Sequence, residues 1–239
     1  MSKAIKSAQE ILLIEKACNL ADKAMAFILK EIKEGVTEKK IRFKIVTFIK
    51  NNNSGISFRP IVAFGENAAD PHHVTTLRKL KKGDFVMLDL GAKPNGYCSD
   101  ITRTFFFGKP TDTQKRIYET VLVSQQKAIE YITSNLSLLT SKPIRLKMYD
   151  VDKAARDYIK IQDFEPMPHS LGHGIGQKVH ENFRLSPKSK KILKPGMVFS
   201  IEPAIYIKGF GGVRIEDTVV LEEKGLRILT CFPKELTIL

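Results

Sequence analysis

The sequence predicts an α+β domain made of two similar α/β halves. Three observations support this prediction: an internal repeat that joins apolar runs to acidic residues, helical apolar spacing ahead of each copy, and no linker-like stretch between the copies. The halves are expected at about residues 8–112 and 113–239 of a single domain covering residues 1–239. With 43% hydrophobic and 27% charged residues, the composition is that of a globular protein.

Two amphipathic helices are predicted at the start of the first half. Apolar residues recur three and four positions apart through residues 8–34, and Gly35 ends this helix. Thr37 followed by Glu38 is typical of a helix start, and helical spacing continues from there to Ile49. Each helix is therefore expected to bury one face.

Strands follow these helices. Ile61–Phe64 is predicted as a strand leading into a loop marked by Gly and Pro. The apolar run beginning at Phe85 predicts one arm of a hairpin, with KPNG at residues 93–96 as its turn. In the second half, helical spacing returns over residues 113–134 and 148–159, ahead of a strand-rich section at 193–221.

The internal repeat has two matched arms. LKKGDFVMLD at residues 80–89 aligns without a gap with LKPGMVFSIE at residues 193–202, and both end on an acid. GYCSDIT at residues 96–102 aligns with GVRIEDT at residues 212–218, with an acid four residues after the glycine. The offsets are 113 and 116 residues. Each half therefore contributes a hairpin that carries two acidic residues.

The four repeated acids are Asp89, Asp100, Glu202 and Glu216. A pseudo-twofold arrangement of the halves would bring them together, where carboxylates without cations would repel one another and take up protons. Two divalent cations would resolve this repulsion, since two-metal hydrolases hold such ions about 3.5–4 Å apart. The repeat therefore predicts a shared dinuclear metal site.

The five histidines form two clusters, each ahead of one acidic hairpin: His72 and His73, then His169, His173 and His180. In the segment HSLGHGIG, His173 lies between two glycines, where the backbone can approach closely and little obstructs the imidazole. His173 is therefore the predicted nitrogen ligand of one cation.

Four segments carry a resemblance to a known family: VMLDLGAKPNGYCSDITRTF, PHSLGHGIGQKVHE, VFSIEPAIYI and GGVRIEDTVVL. In order and spacing they resemble the pita-bread metallopeptidases, which include methionine aminopeptidase, aminopeptidase P and prolidase. The resemblance runs from about Lys6 to the C-terminus. It implies the pita-bread (creatinase/aminopeptidase) fold, in which two pseudo-symmetric α/β halves surround a dinuclear metal site.

The resemblance also implies a metal ligand set. Asp100 and Glu216 would bridge the two cations. Asp89 would complete the coordination of one cation, and His173 with Glu202 that of the other. Mn²⁺ suits these oxygen and imidazole ligands best, with Co²⁺, Zn²⁺ and Fe²⁺ as alternatives.

Catalytic roles follow from the same resemblance. Glu202 would carry a proton from water to the leaving amine. His72 and His180 match positions where the family stabilises the substrate and the tetrahedral intermediate, and His73 is the alternative to His72. His169 either faces the substrate or serves as a structural hydrogen-bonding group.

Three features favour the branch that cleaves Xaa-Pro bonds. His169 lies four residues before the metal histidine, and Arg214 lies two before Glu216, whose carboxylate it is expected to hydrogen-bond. The loop IVAFGENAADPHH also resembles that of prolidase and aminopeptidase P. The predicted activity is hydrolysis of the N-terminal Xaa-Pro bond of peptides or dipeptides. The alternatives are a methionine aminopeptidase and a non-catalytic relative that binds peptide or nucleic acid.

Members of the proline-specific branch usually carry a further N-terminal domain. The expectation from this sequence is a catalytic domain without that creatinase-type domain, with a homodimer as a possible assembly. The net charge of +13 is spread along the chain and there is no Trp, so nucleic acid is not the expected partner. Three dispersed cysteines, no membrane-length apolar run and no signal sequence predict a cytoplasmic protein.

Overall fold

Two helices pack against each other in the first half. In the computed structural model, which describes residues 4–137 and 146–239, helix α1 spans Ala8–Leu29 and helix α2 spans Glu38–Asn51. Ser7 and Glu10 form a capping box at the start of α1, which fixes where the helix begins. The helix ends five residues earlier than predicted, because the charged stretch after Leu29 makes turns instead.

A three-stranded antiparallel sheet follows, in which Phe85–Leu90 lies between Ile61–Phe64 and Ile101–Phe106. The first-half strands are β1 (Gly55–Ile56), β2 (Ile61–Phe64), β3 (Phe85–Leu90), β4 (Ala92–Lys93) and β5 (Ile101–Phe106). Every residue of β3 and β5 is buried, which explains their apolar runs. The turn near residues 93–96 contains Asn95 and Gly96 in left-handed conformations, with φ of 53° and 82°.

The second half has the same ingredients. Helices α3 (Asp112–Ser137) and α4 (Met148–Ile161) pack together, and both cover the predicted helical regions. The remaining strands are β6 (Gly172–His173), β7 (Arg184–Leu185), β8 (Val198–Ile201), β9 (Ala204–Ile207), β10 (Gly211–Arg214), β11 (Asp217–Glu222) and β12 (Gly225–Ile228). They form an antiparallel sheet in the order β12-β11-β8 and two antiparallel pairs, β9-β10 and β6-β7.

The halves meet through a reciprocal pair of threonines at equivalent positions of the repeat. The Thr102 hydroxyl donates to the Glu216 carboxylate at 2.6 Å, and the Thr218 hydroxyl donates to the Asp100 carbonyl oxygen at 2.7 Å. An antiparallel bridge also joins Thr102 to Glu216. Each half therefore holds an acidic segment of the other, and the repeated acids lie at the junction.

A buried charged network lies behind this junction. The Arg103 guanidinium, 1% exposed as a residue, donates to the Asp217 carboxylate at 2.8 Å and to the Glu216 carbonyl oxygen at 2.5 Å. Lys234 also contacts Asp217, at 2.6 Å. A charge withdrawn from water is tolerated when it is paired and hydrogen-bonded, as here. Among the described helices, none has the length and apolar character of a membrane span.

Candidate metal and catalytic site

A cavity of about 300 Å³ lies where the two halves meet. All of the site residues predicted from the sequence line it: His72, Asp89, Asp100, His169, His173, His180, Glu202, Arg214 and Glu216. The cavity therefore draws on both hairpins and both histidine clusters. His73 is not part of its lining and turns instead toward Glu38, with its Nε2 2.9 Å from that carboxylate.

The ends of strands place the acidic side chains and one histidine. Asp89 is near the end of β3, Asp100 precedes β5, His173 ends β6, and Glu202 directly follows β8. The glycines around His173 are required by packing. A Cβ at Gly172 would collide with the Ser200 carbonyl oxygen, and one at Gly174 would collide with the Phe183 ring.

Three of these side chains form a compact cluster. Ligand atoms of Asp100, His173 and Glu216 all lie within 4.8 Å of one another, and all three residues are buried. The His173 Nδ1 lies 3.4 Å from the Gly174 carbonyl oxygen, which can only accept, so Nδ1 carries a proton. The other ring nitrogen, Nε2, then faces Glu202 at 3.2 Å and Asp100 at 3.5 Å. Once Nε2 gives up its proton, this imidazole can bind a cation through that atom.

Unsatisfied carboxylate oxygens indicate what the cluster lacks. Among the described residues, the buried oxygens Asp89 Oδ1, Asp100 Oδ1 and Glu216 Oε1 have no hydrogen-bond partner. Burial, followed by repulsion from neighbouring acids, raises the pKa of Asp100 and of Glu216 well above the ordinary values. Divalent cations are bound by such carboxylate oxygens with imidazole nitrogen, so the residues fit a divalent metal.

Arg214 corrects one expectation from the sequence. The prediction that it hydrogen-bonds Glu216 is wrong: its Nη2 donates to the Asp89 carboxylate at 2.5 Å. Its Nε donates to the Thr102 hydroxyl at 3.1 Å, and that hydroxyl donates to Glu216. The arginine ends β10 and extends across the junction, so it meets the acid of the opposite hairpin and contacts Glu216 through Thr102.

Glu202 remains ionised at neutral pH. Burial alone would raise its pKa, but the hydrogen bond and charge of His173 outweigh burial and lower the pKa to about 2. His169 and Arg214 contribute in the same direction. The Ser200 hydroxyl donates at 3.2 Å to Glu202 Oε1, the same oxygen that faces His173. Glu202 is therefore a charged group that can accept a proton in the cavity.

A tyrosine that the sequence reasoning missed connects Arg214 to His169. The Arg214 Nη1 donates to the Tyr206 hydroxyl at 2.8 Å, and that hydroxyl lies 3.0 Å from His169 Nε2. The His169 Nδ1 faces the Ser170 carbonyl oxygen at 2.9 Å and so carries the proton, which leaves Nε2 to accept from Tyr206. His169 thus lines the cavity with both ring nitrogens engaged.

His180 lies at the exposed rim of the cavity, edge-on to the His173 ring with the ring centroids 4.3 Å apart. Partial burial, together with the nearby His173 and Arg184, lowers the pKa of His180 to about 4. A neutral imidazole of this kind donates a hydrogen bond without carrying a charge. His72 also lines the cavity, and its backbone N–H donates to the Asp70 carboxylate at 2.9 Å.

Replacing Arg214 by Lys is expected to lower the affinity for divalent cations about 10-fold or more, the usual effect of losing a group that orients a metal ligand. Lysine keeps the charge but cannot contact Asp89, Thr102 and Tyr206 at once. Equilibrium dialysis with Mn²⁺ measures the effect. Arg184→Lys, at the same cavity, is the control and should bind as the wild type does. Equal affinities for the two variants would contradict the orienting role.

Comparison with known proteins agrees with this geometry. The chain is 42% identical over 234 residues to the Xaa-Pro dipeptidase of Pyrococcus furiosus, covering 97% of this chain and 64% of that protein. It superposes on an Xaa-Pro dipeptidase from Bacillus anthracis with a TM-score of 0.91 and 39% identity, over 99% of this chain and 64% of the other. An X-Pro aminopeptidase from Thermotoga maritima gives a TM-score of 0.91 at 32% identity, over 99% and 65%.

The chain spans about 64% of the length of the curated relatives it matches. The structural neighbours share the pita-bread fold, with two pseudo-symmetric halves around the site. The family model for metallopeptidase family M24 matches residues 13–223, and this chain is a member of that family.

Proposed function

We propose that this domain is a dinuclear metallo-exopeptidase that hydrolyses the N-terminal Xaa-Pro bond of peptides or dipeptides. The observation that carries the proposal is one cavity where His173 meets four acids from both halves, three of which have a buried oxygen with no hydrogen-bond partner among the described residues. The Xaa-Pro names of several relatives support the substrate class. No observation favours a methionine aminopeptidase or a non-catalytic binding protein.

Five cavity residues would hold the two divalent cations: Asp89, Asp100, His173, Glu202 and Glu216. When bound, two divalent cations lower the pKa of water and polarise a carbonyl group. Mn²⁺ is our preferred ion on ligand softness. We place the protein in the cytoplasm, since its three cysteines are free, and a homodimer stays a prediction.

The chain's own residues supply proton transfer and hydrogen bonds. Glu202, ionised at neutral pH, would accept a proton from water and deliver it to the leaving amine. His72 and His180 line the cavity and would donate hydrogen bonds to substrate oxygen as negative charge develops there. His169, held by Tyr206 and Ser170, would orient the substrate from the second half.

The cavity wall suits a proline side chain. Four apolar residues line the cavity beside the acids: Phe58, Ile61, Pro71 and Val179. A pyrrolidine ring buries apolar area against such a wall and has no N–H that would need an acceptor there. Specificity of this kind depends on contacts with the residue after the scissile bond.

Comparing Ala-Pro and Met-Pro with Met-Ala and Ala-Ala peptides tests the proposal, using Mn²⁺-loaded protein. The expected result is release of the N-terminal residue from the two proline peptides, with kcat/KM at least about 100-fold above the others. Release from Met-Ala alone would establish a methionine aminopeptidase. Tight peptide binding without hydrolysis would establish a binding protein.

A further inference from the structure

Each candidate catalytic histidine is followed by a residue whose side chain contacts a buried charged group. His72 precedes His73, whose Nε2 lies 2.9 Å from the Glu38 carboxylate, with side-chain exposures of 9% and 0%. His180 precedes Glu181, whose carboxylate lies 2.5 Å from Lys6 Nζ, with exposures of 5% and 1%. The first pair lies within the first half, whereas the second joins the segment ahead of α1 to a loop of the second half. Neither partner in either pair is a candidate metal ligand.

Glu38 binds both ends of the loop that carries His72. One oxygen accepts from the Phe64 N–H at 2.9 Å, where β2 ends, and from the Asn67 amide at 2.8 Å. The other accepts from the N–H and the hydroxyl of Thr76, at 2.8 and 2.7 Å, as well as from His73. These five donors outweigh burial and lower the pKa of Glu38, so the carboxylate is charged at neutral pH. Both ends of the loop of residues 64–76 are therefore hydrogen-bonded to the Glu38 side chain; we call this arrangement the closure.

The His72 ring depends on this closure. Within the described part of the chain, no hydrogen bond holds the ring itself, while its backbone N–H is bound by Asp70. Glu38, as the first residue of α2, ties the loop to that helix. The direction of the His72 imidazole is thus set through its neighbour His73.

Lys6 does the equivalent for the His180 loop. Its backbone N–H donates to the Gly196 carbonyl oxygen at 2.8 Å, which anchors the segment ahead of α1. Glu181 accepts from the Gln177 N–H at 3.1 Å and donates its own N–H to the Gly174 carbonyl oxygen at 2.8 Å. A Cβ at Gly176 would collide with both Glu181 and Lys6, so the loop is packed tightly around the pair.

We propose that Glu38 and Lys6 are positioning residues for catalysis, which fix the imidazoles of His72 and His180 through the adjacent residues His73 and Glu181. This inference rests on the proposed peptidase function. Misplacing a group that acts on the transition state by about 1 Å can lower a rate about 100-fold. A buried contact between a charged side chain and the next residue in sequence, as at Glu38 and Lys6, restricts such a displacement.

A double-mutant cycle tests this inference on the Mn²⁺-loaded protein. Glu38→Gln should lower kcat about 100-fold with KM changed by less than about 3-fold, because the lost interaction acts on the transition state. In a His72→Ala background the same change should lower kcat less than about 3-fold, since the positioned group is gone. In a His180→Ala background, Glu38→Gln should again cause the full decrease in kcat. Lys6→Met should give the reverse result: it should change kcat little in the His180→Ala background and lower kcat fully in the His72→Ala background.

Controls separate positioning from general damage. Glu31→Gln breaks an ion pair between the turn after α1 and Lys44 of α2, with both side chains 31% exposed, and should leave kcat unchanged. If Glu38→Gln does not fold, His73→Ala removes one arm of the closure and should give the same pattern against His72→Ala. An equal loss of kcat in every background would overturn the inference.

A readout without catalysis keeps the inference distinct from the proposed function. Amide hydrogen exchange at His73 and Thr76 should accelerate at least about 10-fold in Glu38→Gln and stay at the wild-type rate in Glu31→Gln. If the wild type cleaves no Xaa-Pro peptide, the proposed function fails while this measurement still tests the closure. Unchanged exchange in Glu38→Gln would overturn the closure whatever the activity.

Discussion

Replacing His173 by alanine is expected to lower kcat by at least about 1,000-fold, the scale seen when a group stabilising transition-state charge is removed. The same change should remove one of two bound Mn²⁺ ions, because His173 contributes the imidazole of the cluster with Asp100 and Glu216. Elemental analysis of dialysed protein gives the stoichiometry, and Ala-Pro hydrolysis gives kcat. Loss of activity and loss of metal should therefore appear together.

His169→Ala is the matched control for that experiment. The ring lines the same cavity, but its nitrogens bond Tyr206 and Ser170. This variant should keep two Mn²⁺ ions even where its activity falls. Full metal content in His173→Ala would remove that residue from the ligand set.

Replacing Arg103 by methionine is expected to lower the free energy of unfolding by about 3–5 kcal/mol, the range for breaking a buried ion pair. The guanidinium bonds the Asp217 carboxylate and three backbone carbonyl regions: Thr102, Glu216 and Phe232–Pro233. Its removal leaves Asp217 with Lys234 as its cationic partner. Urea unfolding of the metal-free protein at pH 7 measures the loss.

Arg227→Met supplies the comparison. Arg227 pairs with Glu222 and Glu15 on the surface, with its side chain 39% exposed, so the change should alter stability by less than about 0.5 kcal/mol. Equal destabilisation by the two substitutions would contradict the role given to the Arg103 network.

The repeat made the site predictable because acidic residues at matched positions of the two halves indicate that both halves contribute to one site. Asp89 and Glu202 were found this way, and they line one cavity although 113 residues separate them. The glycines around His173 had a visible sequence signal too, and packing against Ser200 and Phe183 explains them. Fold class followed from the same pattern.

The hydrogen-bond partners of individual side chains could not be predicted from the sequence. Arg214 was matched to the acid nearest in sequence, whereas the fold brings Asp89 of the other half within 2.5 Å. Glu38 read as an ordinary residue of a helix start, and its five donors come from residues 26 to 38 positions away. Such contacts are set by how the halves and loops pack, which periodicity does not encode. Two-residue strands such as β6 are too short to show alternation.

The exchange of threonine contacts between Thr102 and Thr218 has a consequence for protein lifetime. Glu216 and Asp100 are each held by a hydroxyl of the opposite half. When one half opens, the candidate metal ligands of the two halves are therefore separated. Cation binding then selects the closed form by mass action. Scarcity of the ion should accordingly expose the chain to proteases, so that the supply of metal governs how long each copy survives.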